Sequence, residues 1–142
     1  MPRPTPPPTP QDYQALSEFR YQLRRFLRFS EDAAQAEGIT ALQYQLMLHV
    51  QGNPERDWAL VGELAERLQM QQHGTVALVT RCETAGLVRR TRARDDRRQV
   101  QVRLTSKGKA CLRRLVALHR AELQSLSGVF RVTHIPAFND RL

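Results

Sequence analysis

The residues most able to do chemistry here are arginines. Arg89, Arg90, Arg92, Arg94, Arg97, Arg98 and Arg103 crowd one stretch with Lys107 and Lys109, opposed only by Asp95 and Asp96. A guanidinium is a planar fork of donors that fits phosphate and the edge of guanine. Four of the group, Arg92, Arg94, Arg97 and Arg98, fall between two short runs of strand character. Leu87 and Val88 open the first run, and in the second Val100, Val102 and Leu104 alternate with Gln101 and Arg103, the period of a half-buried strand. A hairpin that carries guanidinium groups at its tip suits a grooved polyanion, and double-stranded DNA is that polyanion. A second set precedes it at the start of a helical segment: Gln71, Gln72, His73, Thr75 and Val76. Glutamine pairs bidentately with adenine, and histidine can donate to guanine or to phosphate.

Other chemistries lack their residues. The chain has no glycine-rich phosphate loop, no Ser-His-Asp or Cys-His arrangement and no HExxH, so no enzyme and no cofactor are expected. His49, His73, His119 and His134 do not cluster with carboxylates at ligand spacing, which argues against a metal. Cys82 and Cys111 have neither metal-ligand spacing nor an export context. No apolar run approaches the roughly 20 residues of a membrane span, and the N-terminus has no hydrophobic signal core. A cytoplasmic location is therefore expected. The formal charge of +8 over 142 residues calls for an anionic partner.

Helices must position these groups. From 11 to 37, Leu16, Phe19, Leu23, Phe26 and Leu27 recur at helical spacing, and Gly38 stops the helix. Thr40 and Gln43 form a capping box for a helix carrying Leu42, Leu46, Met47, Leu48 and Val50, which ends at Gly52–Pro54. After a polar loop, 61–68 makes a short helix with Leu64, Ala65 and Leu68 inward. A break at Gln69 and Met70 leads to another at 71–85, with Val76, Val79 and Cys82 at inward spacing and Gly86 as its stop. Two short helices followed by a hairpin spell a winged helix-turn-helix. Thr105 caps a last long helix from Ser106 to about Ser127. The expected class is mostly α with a small β-hairpin. Residues 1–10 read as a disordered Pro-rich tail and 11–142 as a single domain: 11–38 and 106–142 are dimerisation helices around a 40–105 DNA-binding lobe.

Three strings, GELAERL at 62–68, LVTRCETAGLV at 78–88 and DDRRQVQVRLTSKG at 95–108, resemble the MarR family of bacterial transcriptional regulators, the third most specifically. The resemblance implies a homodimer whose terminal helices intertwine and whose lobes straddle a pseudopalindromic operator, most simply as a repressor. The terminal helices agree, being more apolar than one small lobe could cover: Leu16, Phe19, Leu23, Phe26, Leu115 and Leu126 want a partner surface. The resemblance further implies a small aromatic or anionic effector between dimer helices and lobes, with Tyr21, Arg25, Tyr44, Met47 and His49 as candidate lining. The family often has a basic residue where this chain has Ala77. It commonly ties the arginine matching Arg98 to a recognition-helix aspartate whose place is taken by Thr80, leaving Glu83 as a substitute. Asp96 is expected to organise the wing loop. A redox switch is a weaker reading, with Cys111 activated by Lys109, Arg113 and Arg114. Two other function classes remain: an architectural DNA binder without sequence preference, and a winged-helix module for RNA or protein.

Overall fold

The computed structural model describes residues 1–96 and 98–125. Along them run α1 (Pro10–Ala36), α2 (Ala41–Gln51), β1 (Trp58–Leu60), α3 (Val61–Leu68), α4 (Gln72–Thr84), β2 (Val88–Arg92), β3 (Val100–Leu104) and α5 (Ser106–Ser125). They form two compact units, Met1–Ser30 with the chain from His119 onward, and Glu31–Leu118. The division passes through α1 and α5. No described helix is long and apolar enough to cross a membrane.

In the first unit α1 begins one residue earlier than its apolar stripe suggests. Proline is at home in a first helical turn, where its missing N–H would lack a partner anyway. Thr9 caps it: Asp12 N donates to Thr9 Oγ1 at 3.3 Å and Thr9 N to Asp12 Oδ2 at 2.8 Å. Ala15, Gln22 and Ser30 are buried, Phe19, Leu23 and Phe26 half-buried, and Tyr13, Leu16, Tyr21 and Leu27 exposed. His119 is buried with its Nε2 2.9 Å from Ser30 Oγ. The rings of Phe26 and Phe29 meet it edge-on at 5.9 and 5.4 Å.

The second unit is the lobe. Its core joins Leu46, Met47 and Val50 of α2, Leu64 of α3, Leu78, Val79 and Cys82 of α4, Val88 and Val102 of the sheet, and Leu112 and Leu115 of α5. Leu115 is fully buried in this core, so the expectation that it needs a second chain is corrected: α5 presents it to its own lobe. The box at Thr40 forms as expected, with Gln43 N donating to Thr40 Oγ1 at 3.1 Å and Thr40 N to Gln43 Oε1 at 2.9 Å. α3 ends at Gln69, which takes the left-handed conformation at φ 52°, and the turn through Gln71 delivers α4.

The sheet has three antiparallel strands in the order β1-β3-β2. β1 replaces the loop read from the sequence. Three residues are too few to show a period-2 pattern, yet Ala59 is buried and pairs with Val102. In the wing hairpin Val88 pairs with Leu104 and Arg92 with Val100. Thr105 closes the lobe by donating from Oγ1 to Gly86 O at 2.6 Å and accepting from Gly108 N at 3.0 Å. Here α5 presses so tightly on the wing that a Cβ at Gly108 would lie 2.0 Å from Leu87 O. Only glycine permits that approach.

Candidate nucleic-acid interface

The outer face of the second helix of the helix-turn-helix, α4, starts at its N-cap, Gln71. Gln72, His73, Val76, Ala77, Thr80, Arg81 and Thr84 are exposed. Val76 therefore stands outside, at 39% exposure, and its inward assignment is corrected. The shift exchanges it with Thr75, which is fully buried. Thr75 Oγ1 donates to Gln71 O at 3.0 Å, a local bond that satisfies the hydroxyl inside the core. Thr75 is thus a core and backbone residue with no face toward DNA, contrary to the sequence reading.

The wing presents Arg89, Arg92, Arg94 and Arg98 as exposed side chains. Arg97 lies outside the described residues, as does Leu126. Asp96 organises the loop by accepting from Arg98 N at 3.0 Å, and Ala93 N reaches across to Gln99 O at 3.2 Å. Glu83 does not tie Arg98. Its partner is Arg90, whose backbone N–H and guanidinium hold the Glu83 carboxyl below its ordinary range. Arg90 Nη2 also donates to Thr80 Oγ1 at 3.0 Å. The strand register puts Arg90, in the middle of β2, opposite Val102, whereas Arg98 lies at the far tip. A second guanidinium used for structure is Arg103, 2.8 Å from Asp57. Arg56 pairs with Glu63 and lies 4.0 Å over the Trp58 ring. The basic stretch thus separates into arginines that brace the lobe and arginines left toward solvent, a separation that charge counting does not reveal.

The candidate effector residues are divided between the two units. Tyr44 and Met47 are buried in the lobe core, where burial raises the Tyr44 hydroxyl pKa. This packing overturns their reading as pocket lining. Tyr21 and Arg25 belong to the other unit, with Arg25 5.7 Å from the Tyr21 ring. His49 does line a cleft of about 240 Å³, with Leu48, Ala59, Glu63, Leu64 and Arg67 among its walls. Burial first, and Arg67 second, lower the His49 pKa and favour the neutral imidazole. Neither thiol is activated. Burial pushes Cys82 up to about 11, and burial with the Glu37 carboxylate raises Cys111 despite Arg114 and Lys107. The expectation of an activated Cys111 fails first because the thiol is buried, and second because Glu37, which forms a salt bridge with Arg114 at 2.9 Å, opposes the nearby cations. Among the described residues no group of His, Cys, Asp and Glu could hold a metal ion.

A helix-turn-helix with an exposed second helix, followed by an antiparallel wing rich in exposed arginine, defines a winged-helix protein of the DNA-binding class. Residues 37–99 match the model of the MarR family. No curated protein matches the chain. Among solved structures it is similar to AbsC, a MarR family transcriptional regulator from Streptomyces coelicolor, at 25% identity and TM-score 0.73, covering 85% of this chain and 81% of that one. It is equally similar, at 25% identity and TM-score 0.74, to the MarR family transcription regulator SP03579, over 90% of this chain and 83% of the other. The fold is also that of the F27L mutant of S. aureus MepR bound to an oligodeoxyribonucleotide, at TM-score 0.65 and 17% identity over 91% of each chain. The lobe from 37 to 99 thus matches the MarR family, and the chain as a whole is similar to transcriptional regulators of that family.

Proposed function

We propose that this protein acts as a homodimeric, sequence-specific regulator that docks two copies of the α4 face and wing on a pseudopalindromic operator. The observation that carries the reading is the pairing of the two surfaces within one lobe. Gln72 and His73 stand exposed in the first turn of α4, where base edges are read, and Arg94 and Arg98 stand exposed on the wing, where phosphate or a narrow minor groove is met. Dimerisation is supported by the apolar side chains left in solvent on the long helices: Leu16 at 53%, Leu27 at 47% and Leu123 at 49% exposure. Repression relieved by a small aromatic or anionic effector belongs to the same proposal. The cleft beside His49, with Arg67 as a cationic wall and Leu48 and Leu64 as apolar ones, is the feature of the lobe that suits such a molecule. A cytoplasmic protein associated with the nucleoid follows from this role.

Selection from a random duplex pool at moderate salt tests the proposal, with sedimentation of the free protein and of its complex alongside. The expected result is an enriched pseudopalindrome with half-sites about one helical turn apart, bound by a dimer. Retention of DNA without an enriched motif would replace it with an architectural role, and no retention at all would point to RNA or protein.

A further inference from the structure

The composition of the α4 face bears on which bases it can read, an inference that rests on the DNA-binding reading above. Val76 and Ala77 lie exposed at its middle. A solvent-facing valine is an unfavourable choice for a helix, since it loses χ1 freedom and leaves apolar surface in water. Thr80, one turn after Val76, has its hydroxyl engaged in both directions: Oγ1 donates to Val76 O at 3.1 Å and accepts from Arg90 Nη2 at 3.0 Å. The hydroxyl is thus occupied within the lobe. The first two turns of α4 carry no arginine or lysine, Arg81 being in the last turn. Bidentate reading of guanine O6 and N7 is the work of those two residues, so the first two turns of this face lack the means for it. Gln72 sits four residues before Val76, on the same side of the helix, with an amide that matches adenine N6 and N7.

We infer that α4 reads A·T pairs largely through thymine methyl groups: Val76 and Ala77 pack against the 5-methyls of thymine in the major groove, and Gln72 pairs with a neighbouring adenine. The thymine methyl is the one apolar group on a base edge in that groove, and it is the complement an exposed valine and alanine lack in the free protein.

The test replaces thymines of the selected operator, one at a time, with deoxyuridine, which keeps every hydrogen-bonding group and loses only the methyl. About a fourfold loss of affinity is expected for each methyl in contact, the factor that one buried CH₂ represents. The loss should appear at one or two positions per half-site and shrink toward onefold in Val76→Ser or Ala77→Ser. Both sites are exposed and should tolerate serine, which circular dichroism of the variants would check. Unchanged affinity across all uracil replacements overturns the inference while leaving operator recognition standing. A uracil penalty that persists undiminished in both variants overturns the assignment to these residues. Selection that yields no motif overturns this inference and the proposed operator together.

Discussion

Arg90 on β2 grips Glu83 on α4 at two points, its backbone N–H donating to Oε2 at 3.0 Å and its Nη2 to Oε1 at 3.2 Å. The pair joins the wing to the recognition helix, and the family-level expectation of a tie between helix and wing is met at a different arginine. Both side chains are partly in water, at 31% and 39% exposure, so solvent screens the attraction. Arg90→Ala should lower stability to urea by about 1 kcal/mol and loosen the wing, with a larger relative loss of DNA affinity than of stability.

The same pair sets an acid limb. The backbone N–H and guanidinium of Arg90 hold the folded carboxyl of Glu83 below its ordinary value of 4.5. A carboxyl that titrates lower in the fold than in the unfolded chain adds stability above the unfolded value, and that stability is lost as pH falls through the folded one. Urea midpoints measured from neutral pH downward should therefore drop below about pH 4.5, and Glu83→Gln should flatten that part of the curve.

Thr75 and Gln72 separate core from interface. Thr75→Val keeps the shape of a fully buried side chain and removes a hydroxyl whose bond is to its own helix. Selection with this variant should return the wild-type motif, with stability shifted by about 1 kcal/mol. Gln72→Ala should keep stability and relax the preference at one base position per half-site, a change of roughly 1–3 kcal/mol in discrimination. A motif that moves with Thr75 and not with Gln72 would reverse the assignment.

Arg94 is exposed on the wing. Arg94→Ala should weaken binding to operator and random duplex alike, and the slope of log affinity against log salt should fall by about one. Titrations at four salt concentrations are enough to see it.

Two buried features set stability limits. With Leu87 O only 2.0 Å from where a Cβ would stand, Gly108→Ala should cost about 3 kcal/mol in thermal or urea unfolding. At Cys82, burial pushes the thiol up to about 11. A thiol raised in the fold adds stability that is present below the unfolded value and lost as pH climbs toward the folded one. A disulfide reagent at pH 8 should leave Cys82 unmodified in the native protein and react with it once the chain unfolds.

The sequence carried the helix-turn-helix well, because each of its helices has a periodic apolar side and a local stop. The 61–68 helix fell where Leu64 and Ala65 placed it, and the wing where Val100, Val102 and Leu104 alternate. Three kinds of information were out of reach. β1 has too few residues to show a period, and only its pairing with β3 defines it. The assignment of Thr75 and Val76 to opposite faces depends on a shift of one residue in helical phase, which periodicity over a 13-residue helix with polar and apolar neighbours does not resolve. The split between bracing and outward arginines depends on contacts such as Arg103 with Asp57, 46 residues away in sequence.

β1 has a consequence for mechanics. Trp58–Leu60 run directly into α3 and are laddered to β3, the inner strand of the wing. The first helix of the helix-turn-helix and the base of the arginine wing therefore belong to one hydrogen-bonded frame, in the manner of a calliper. We expect a duplex to seat in it only if the distance from the floor of its major groove to the next minor groove matches the gap. We expect the lobe to reject an A-form RNA duplex of the operator sequence by its groove dimensions, before any base is read.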